Sequence, residues 1–158
     1  AQAELQTWSL TATAYEVTDG FTAPAFAEVG KTFRIDYVID IQTPSLEGWF
    51  GLFDGAVKSF TINGVTSLSD GYVVSLEDGG LNAINIWPRN LRSDGIDFIS
   101  FNNFEGTPSA DVASALRDFA AFASTGYTDL RVDFGENSVW AAPTSFVMTS
   151  SVPEPSAA

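Results

Sequence analysis

The sequence predicts an all-β domain, an antiparallel β-sandwich or jelly-roll-like fold, with one short helix near residues 108–125. Three observations carry this. Residues 31–42 alternate: Phe33, Ile35, Tyr37, Ile39 and Ile41 fall on one set of positions, and Arg34, Asp36, Asp40 and Gln42 on the other, with Val38 the exception. A strand sends successive side chains to opposite faces, so this segment buries one face and wets the other. A helix would scatter the same residues around its circumference. Next, short segments of this kind recur along the chain, separated by turn signals roughly every 8–12 residues. Finally, one stretch breaks the pattern with a stripe of helical period.

In chain order, residues 4–17 read as the first strand. Trp8, Leu10, Ala12 and Ala14 share one face, and Thr7, Ser9, Thr11 and Thr13 the other. The Thr-rich face suits an exposed sheet surface or edge. Asp19-Gly20 marks a turn, a loop with Pro24 follows, and Gly30 leads into the core strand. Residues 46–55, with Trp49, Phe50, Leu52 and Phe53 among three glycines, read as a loop or short strand packed on the core. Residues 57–62 form a strand, and Asn63-Gly64 is the two-residue hairpin pair. Residues 65–68 begin the return arm. Asp70-Gly71 reads as a turn before a strand at 72–76, and Asp78-Gly79-Gly80 as another before 81–87. Residues 88–95 read as a polar loop holding Arg89 and Arg92, and 96–101 as an interior strand. Thr107 as cap, Pro108 at the first helical position and Gly126 as stop bound the helix. Val112, Ala115, Leu116, Phe119, Phe122 and Ala123 form its apolar stripe. Strands resume at 127–134 and 139–148, the latter interrupted by Pro143. The expected organisation is one β domain over 1–149 and a Pro-rich tail over 150–158, extended as two prolines dictate.

The charge narrows the function. At −13, with seven cationic residues against twenty carboxylates, the chain lacks the clustered cations that phosphate binding needs, so no nucleic acid partner is expected. With no Cys and no His, thiol nucleophiles, Cys-based zinc sites and Ser–His–Asp triads are excluded. The carboxylates give no selected glycosidase pair, although Glu47, Glu77, Glu105 and Glu136 border loops. Calcium takes loop oxygens, which makes Asp78, Asp94 and Asp97 candidate ligands; Asp-Gly is equally ordinary turn chemistry. Trp49 and Trp87 border loops and are the candidate glycan contacts, while Trp8 lies on an apolar face and reads as core. The basic loop at Arg89 and Arg92 favours ion pairs within the chain.

The chain's last residues carry a motif. Val152-Pro153-Glu154-Pro155-Ser156 resembles the sorting signature of bacterial PEP-CTERM proteins. The body resembles the β-rich ectodomain of that family at residues 30–40 and 55–64. The resemblance implies export from a Gram-negative bacterium, recognition of Val152, Pro153, Glu154 and Pro155 by exosortase, and an extracellular or cell-surface location. It also implies transient membrane contact through a hydrophobic segment that the family places after the motif and that does not occur within these residues. The family's association with exopolysaccharide and biofilm leads to a non-enzymatic matrix protein, partnered by extracellular polysaccharide or by copies of itself. Sheet edges would serve for self-assembly, with residues 1–7 or the tail as strand donors. The alternative expectation is a carbohydrate-binding module using loop aromatics, with or without calcium.

Overall fold

The alternation at residues 31–42 becomes β2 (Thr32–Asp40), with Phe33, Ile35, Tyr37 and Ile39 buried on one face. The computed structural model describes residues 4–18, 24–76, 82–90 and 92–153. Around β2 run β1 (Glu4–Val17), β3 (Leu52–Ile62), β4 (Val65–Ser75), β5 (Asn82–Ile86), β6 (Phe98–Asn103), α1 (Val112–Phe122), β7 (Thr128–Phe134) and β8 (Asn137–Pro153). Every strand pairs antiparallel with its neighbours in sequence, and β8 returns to pair with β1.

The all-β, antiparallel character is as expected, but the two facing sheets of a sandwich or jelly roll are replaced by one sheet closed into an eight-stranded barrel. The strand order is a plain meander, without the Greek-key crossing a jelly roll needs. Bulges provide the curvature. Register slips between Phe53 and Val57, and again between Val57 and Ser59, bend β3 against β4. The same bending merges two expected strands into β4. Gly71 makes no turn; a side chain there would lie 2.7 Å from the Asn85 carbonyl oxygen, so glycine answers a close backbone approach. The Ser69 hydroxyl donates to the Val57 carbonyl and accepts from the Gly71 N–H, bridging the irregularity. The Asn63-Gly64 hairpin forms as expected, with φ of 52° and 77°, the positive pair a type I′ turn requires.

Closure also revises the edges. The Thr-rich β1 is no edge: it pairs with β2 from Leu5 and with β8 from Glu4. Residues 4–7, expected to donate a strand, are thus already paired, and residues 1–3 lie outside the described residues. Pro143 does not interrupt β8. It sits at a register shift, Ala12 pairing with Pro143 and Thr11 with Ser145, so one residue bulges out. Ser150 to Pro153, expected in the tail, continue the strand opposite residues 4–7. The turns at Asp19-Gly20 and 78–80 lie outside the described residues.

The barrel interior is filled. In an eight-stranded barrel the bore is just wide enough for side chains to meet. Leu10, Ile35 and Ile62 form one row, Trp8, Tyr37 and Phe60 another, and Val73, Ile84, Phe101, Leu130 and Ala141 continue around. Phe146 stacks on Trp8 at 4.9 Å and meets Phe101 at 5.2 Å, Tyr37 at 6.2 Å and Phe119 of α1 at 6.2 Å. The apolar faces point inward, the reverse of the outward apolar band of membrane barrels.

Both mouths are closed. At one, α1 turns Val112, Ala115, Leu116 and Phe119 into the bore. The helix starts later than expected, because Asp111 rather than Thr107 caps it, accepting from the Ser114 N–H at 2.7 Å. Residues 106–109 form no helix and are tied to β4 instead: the Ser75 hydroxyl donates to the Thr107 carbonyl and accepts from the Ser109 N–H. Gly126, at φ +86°, follows the helix as expected. At the other mouth Phe26 packs on Phe33 at 4.7 Å, and the buried Arg92 lies over the Phe60 ring at 4.7 Å. Both arginines of the basic loop are ion-paired within the chain, as expected, but they differ in burial. Arg89 is exposed and paired with Asp70, whereas Arg92 donates to Asp94 and to the carbonyls of Ile62 and Val65, pinning the hairpin from inside.

Three buried side-chain polar atoms lack a partner among the described residues: the Tyr37 hydroxyl, the Asn82 amide nitrogen and the Asn85 amide oxygen. Burial pushes the ionisation of Tyr37 far above the ordinary phenol range. An unpaired buried hydroxyl costs about 1–3 kcal/mol. Tyr37→Phe is therefore expected to raise the unfolding free energy by about 1 kcal/mol in urea titration; a loss of stability would mean that the hydroxyl has a partner.

Candidate functional site

With both mouths closed, the barrel's binding surfaces are outside. The register places Tyr72, Asn85, Ser100, Arg131 and Trp140 in one outward row across β4 to β8. Beside this row stand Trp87, just after β5, and Phe98, which pairs with Asp133. Trp87 lies between two aromatic neighbours, 5.6 Å from Tyr72 and 5.0 Å from Phe98, tilted about 40° to each (39° and 41°). Trp49 projects from the β2–β3 loop and lines an apolar groove of about 370 Å³ with Leu46, Leu52, Asp54, Tyr72 and Val74. Tyr72 belongs to both groups. The two tryptophans singled out in sequence are thus joined on one outer wall through a tyrosine.

They are solvent-facing as well as clustered. Trp49 is 61% exposed and Trp87 49%, while Trp8 is 5% exposed and belongs to the core, as expected. Trp140 is half-buried under the Arg131 guanidinium, 5.3 Å from its ring. The polar handles of the wall are set by neighbours. Asn85 donates its amide to the Tyr72 hydroxyl at 2.9 Å, which leaves the tyrosine proton free to donate outward. Arg131 donates to Asp133 at 2.7 Å, and the Ser138 hydroxyl donates to the same carboxylate oxygen at 2.6 Å. A second depression of about 480 Å³ is lined by Trp87, Phe98, Asp97, Asp133 and Gly135.

The candidate calcium ligands do not converge. Asp94 turns toward the mouth and is held by Arg92 at 2.7 Å. Burial alone would raise its carboxyl, but hydrogen bonds from Arg92 and the Ile96 N–H, with the Arg92 charge, outweigh it and hold the group below its ordinary value. Asp97 accepts from the Gly135 N–H at 3.2 Å, on the outer wall. Asp78 lies outside the described residues. Among the described residues no three acidic, His or Cys side chains gather as a metal would require. The loop-bordering glutamates are also dispersed. Glu136 lies in the β7–β8 turn at the Arg92 mouth, Glu47 and Glu105 lie at the α1 mouth, and Glu77 lies outside the described residues.

Among the described residues, one carboxyl is displaced upward. Burial raises Asp129, partly offset by hydrogen bonds from the Tyr15 hydroxyl and the Leu130 N–H, while burial and the Asp129 carboxylate push Tyr15 up to about 12. The pair closes on itself and lines neither groove of the aromatic wall. A further groove of about 390 Å³ at the Arg92 mouth contains Lys31 and Arg34, but Glu28 and Asp36 pair with them. Of the residues expected to serve as a sorting motif, Val152 and Pro153 end β8, and Glu154 and Pro155 lie outside the described residues. Tyr72 and Phe98 were missed in sequence because each sits in an ordinary strand pattern; only the register shows that they face outward beside Trp87.

Comparison of the chain with family models, with curated proteins and with solved structures finds no match in any of the three.

Proposed function

We propose that this chain is an exported, non-enzymatic protein of an extracellular polysaccharide matrix, and that the wall of Trp49, Tyr72, Trp87 and Phe98 is where it holds the polymer. The observation that carries this reading is the grouping of the exposed Trp49 and Trp87 rings with the half-buried Tyr72 and Phe98 on one outer wall, beside the Tyr72 hydroxyl and the carboxylates of Asp54, Asp97 and Asp133. Sugar rings present apolar C–H faces that aromatic faces suit, and their hydroxyls need the polar neighbours. The sorting-type motif at residues 152–156 supports export, handling by exosortase and a surface location. Asp54, Asp97 and Asp133 stand in the two grooves. That charge favours a neutral or amine-bearing polymer over one rich in uronic acids.

The test is native gel electrophoresis through gels containing a neutral glucan, a galactan, an amino-sugar polymer or a uronic acid polymer, each with and without Ca²⁺. The chain is expected to be retarded by a neutral or amine-bearing polymer without calcium. Trp87→Ala is expected to weaken that retardation about tenfold or more, as aromatic anchors at interface centres do, with the fold retained and a melting temperature lowered only by the lost packing on Tyr72 and Phe98. Free migration in every gel would end the reading. Retardation that needs calcium would replace it with a metal-bridged one.

A further inference from the structure

We propose that two copies of this chain join through the outer half of β8, strand to strand, independently of the polysaccharide wall. Barrel closure uses β8 unevenly. It pairs with β7 only from Asn137 to Ala141, and from Ala142 to Pro153 only β1 lies beside it. Pro143 explains where the second ladder stops, since proline has no N–H to continue it. Outside the ladders with β1 and β7, no backbone hydrogen bond joins residues 142–153 to any other described segment. The helix meets the near end of this edge, with Phe119 against Phe146. Beyond it Val147, Met148 and Val152 are 51%, 48% and 55% exposed.

The occupant is chosen by charge. Residues 137–153 form the longest charge-free run in a chain of net charge −13, and residues 5–15 of the adjacent β1 are uncharged as well. Two copies approaching elsewhere bring carboxylates together; at this flank they bring only Ser, Thr, Ala and apolar side chains. The edge also lacks the lysines and inward charges by which natural sheets block strand addition. A two-fold axis sets identical strands antiparallel, so the free N–H and C=O groups of residues 144–152 meet their own counterparts. The prolines at 143 and 153 bound the ladder. The product is one sheet running β2–β1–β8 and on through the partner's β8 and β1.

Analytical ultracentrifugation of the full chain over a range of concentration and salt tests this. A monomer–dimer equilibrium that strengthens with salt is expected, because screening removes repulsion between two acidic bodies and leaves an uncharged contact intact. Val147→Lys is expected to weaken the dimer about tenfold or more by setting two like charges near the two-fold axis. Leu68→Lys, at another exposed position, adds the same charge and is expected to leave the dimer intact. Thermal melts of both variants establish that they fold. A monomer at every concentration and salt, or a Val147→Lys dimer as tight as the original, or equal loss in Leu68→Lys, overturns the proposal.

Discussion

Phe146→Ala is expected to lower the unfolding free energy by about 3–5 kcal/mol, the range for deleting a buried aromatic ring. The size follows from its place. Phe146 is fully buried and touches Trp8, Tyr37, Phe101 and the helix residue Phe119 at once. No single neighbour can move to fill the space without leaving another of these contacts. The helix stands on the same ring, so the α1 mouth loosens with it. Urea titration checks the value, with an unchanged slope showing that only stability moved. A loss under ~1 kcal/mol would mean that the bore repacks and that the aromatic cluster is not what closes this end.

Asp94→Asn is expected to have a comparable effect at the opposite mouth. The Arg92 guanidinium is buried, and its five donors go to Asp94, to the Ile62 and Val65 carbonyls and to the Ser67 hydroxyl. Removing the carboxylate charge leaves a buried cation with only neutral acceptors, a change that costs about 3–5 kcal/mol in buried pairs. The linked pH dependence has a definite sign. The folded Asp94 carboxyl lies below its ordinary value, so the unfolded chain takes up protons first as acid is added. The stabilisation is fully present above the unfolded value of about 4 and is lost as pH falls through the folded one. Asp70, lowered by its hydrogen bond from Arg89, and Asp111, lowered by the Ser114 N–H, act in the same direction. Asp129, raised by burial, acts in the opposite one. Asp94→Asn is therefore expected to be much less stable than the original at neutral pH and to lose less on acidification below about pH 4. Parallel acid titration curves for the two chains would mean that the Arg92 pair contributes nothing.

Local chemistry was readable wherever one strand or turn decided it. The β2 alternation, the Asn63-Gly64 hairpin and the stripe of α1 each rest on neighbouring residues. Closure of the sheet was not readable, because inward and outward alternation is the same in a sandwich and in a barrel. The difference lies in β8 finding β1 across the length of the chain, and no short window records that. Gly71 misled for a similar reason: next to Asp70 it has the chemistry of a turn, while its cause is the Asn85 backbone in another strand. In the candidate site, Trp49 and Trp87 were visible as loop-border aromatics, but Tyr72 and Phe98 needed the register. Asp94 and Asp97 are neighbours in sequence yet part company, because Arg92 draws one toward the mouth and leaves the other on the wall.

We propose that polymer is held on the outer aromatic wall of a filled barrel. Iodide quenching of tryptophan fluorescence, with and without a neutral polysaccharide, tests it most directly, because Trp49 and Trp87 are the readily quenched rings and Trp8 is shielded from the start. Polymer is expected to protect a quenchable fraction, and this protection is expected to disappear in a Trp49→Ala, Trp87→Ala double variant that keeps its fold. Quenching that is unchanged by every neutral or amine-bearing polymer, or protection that persists in the double variant, would contradict it.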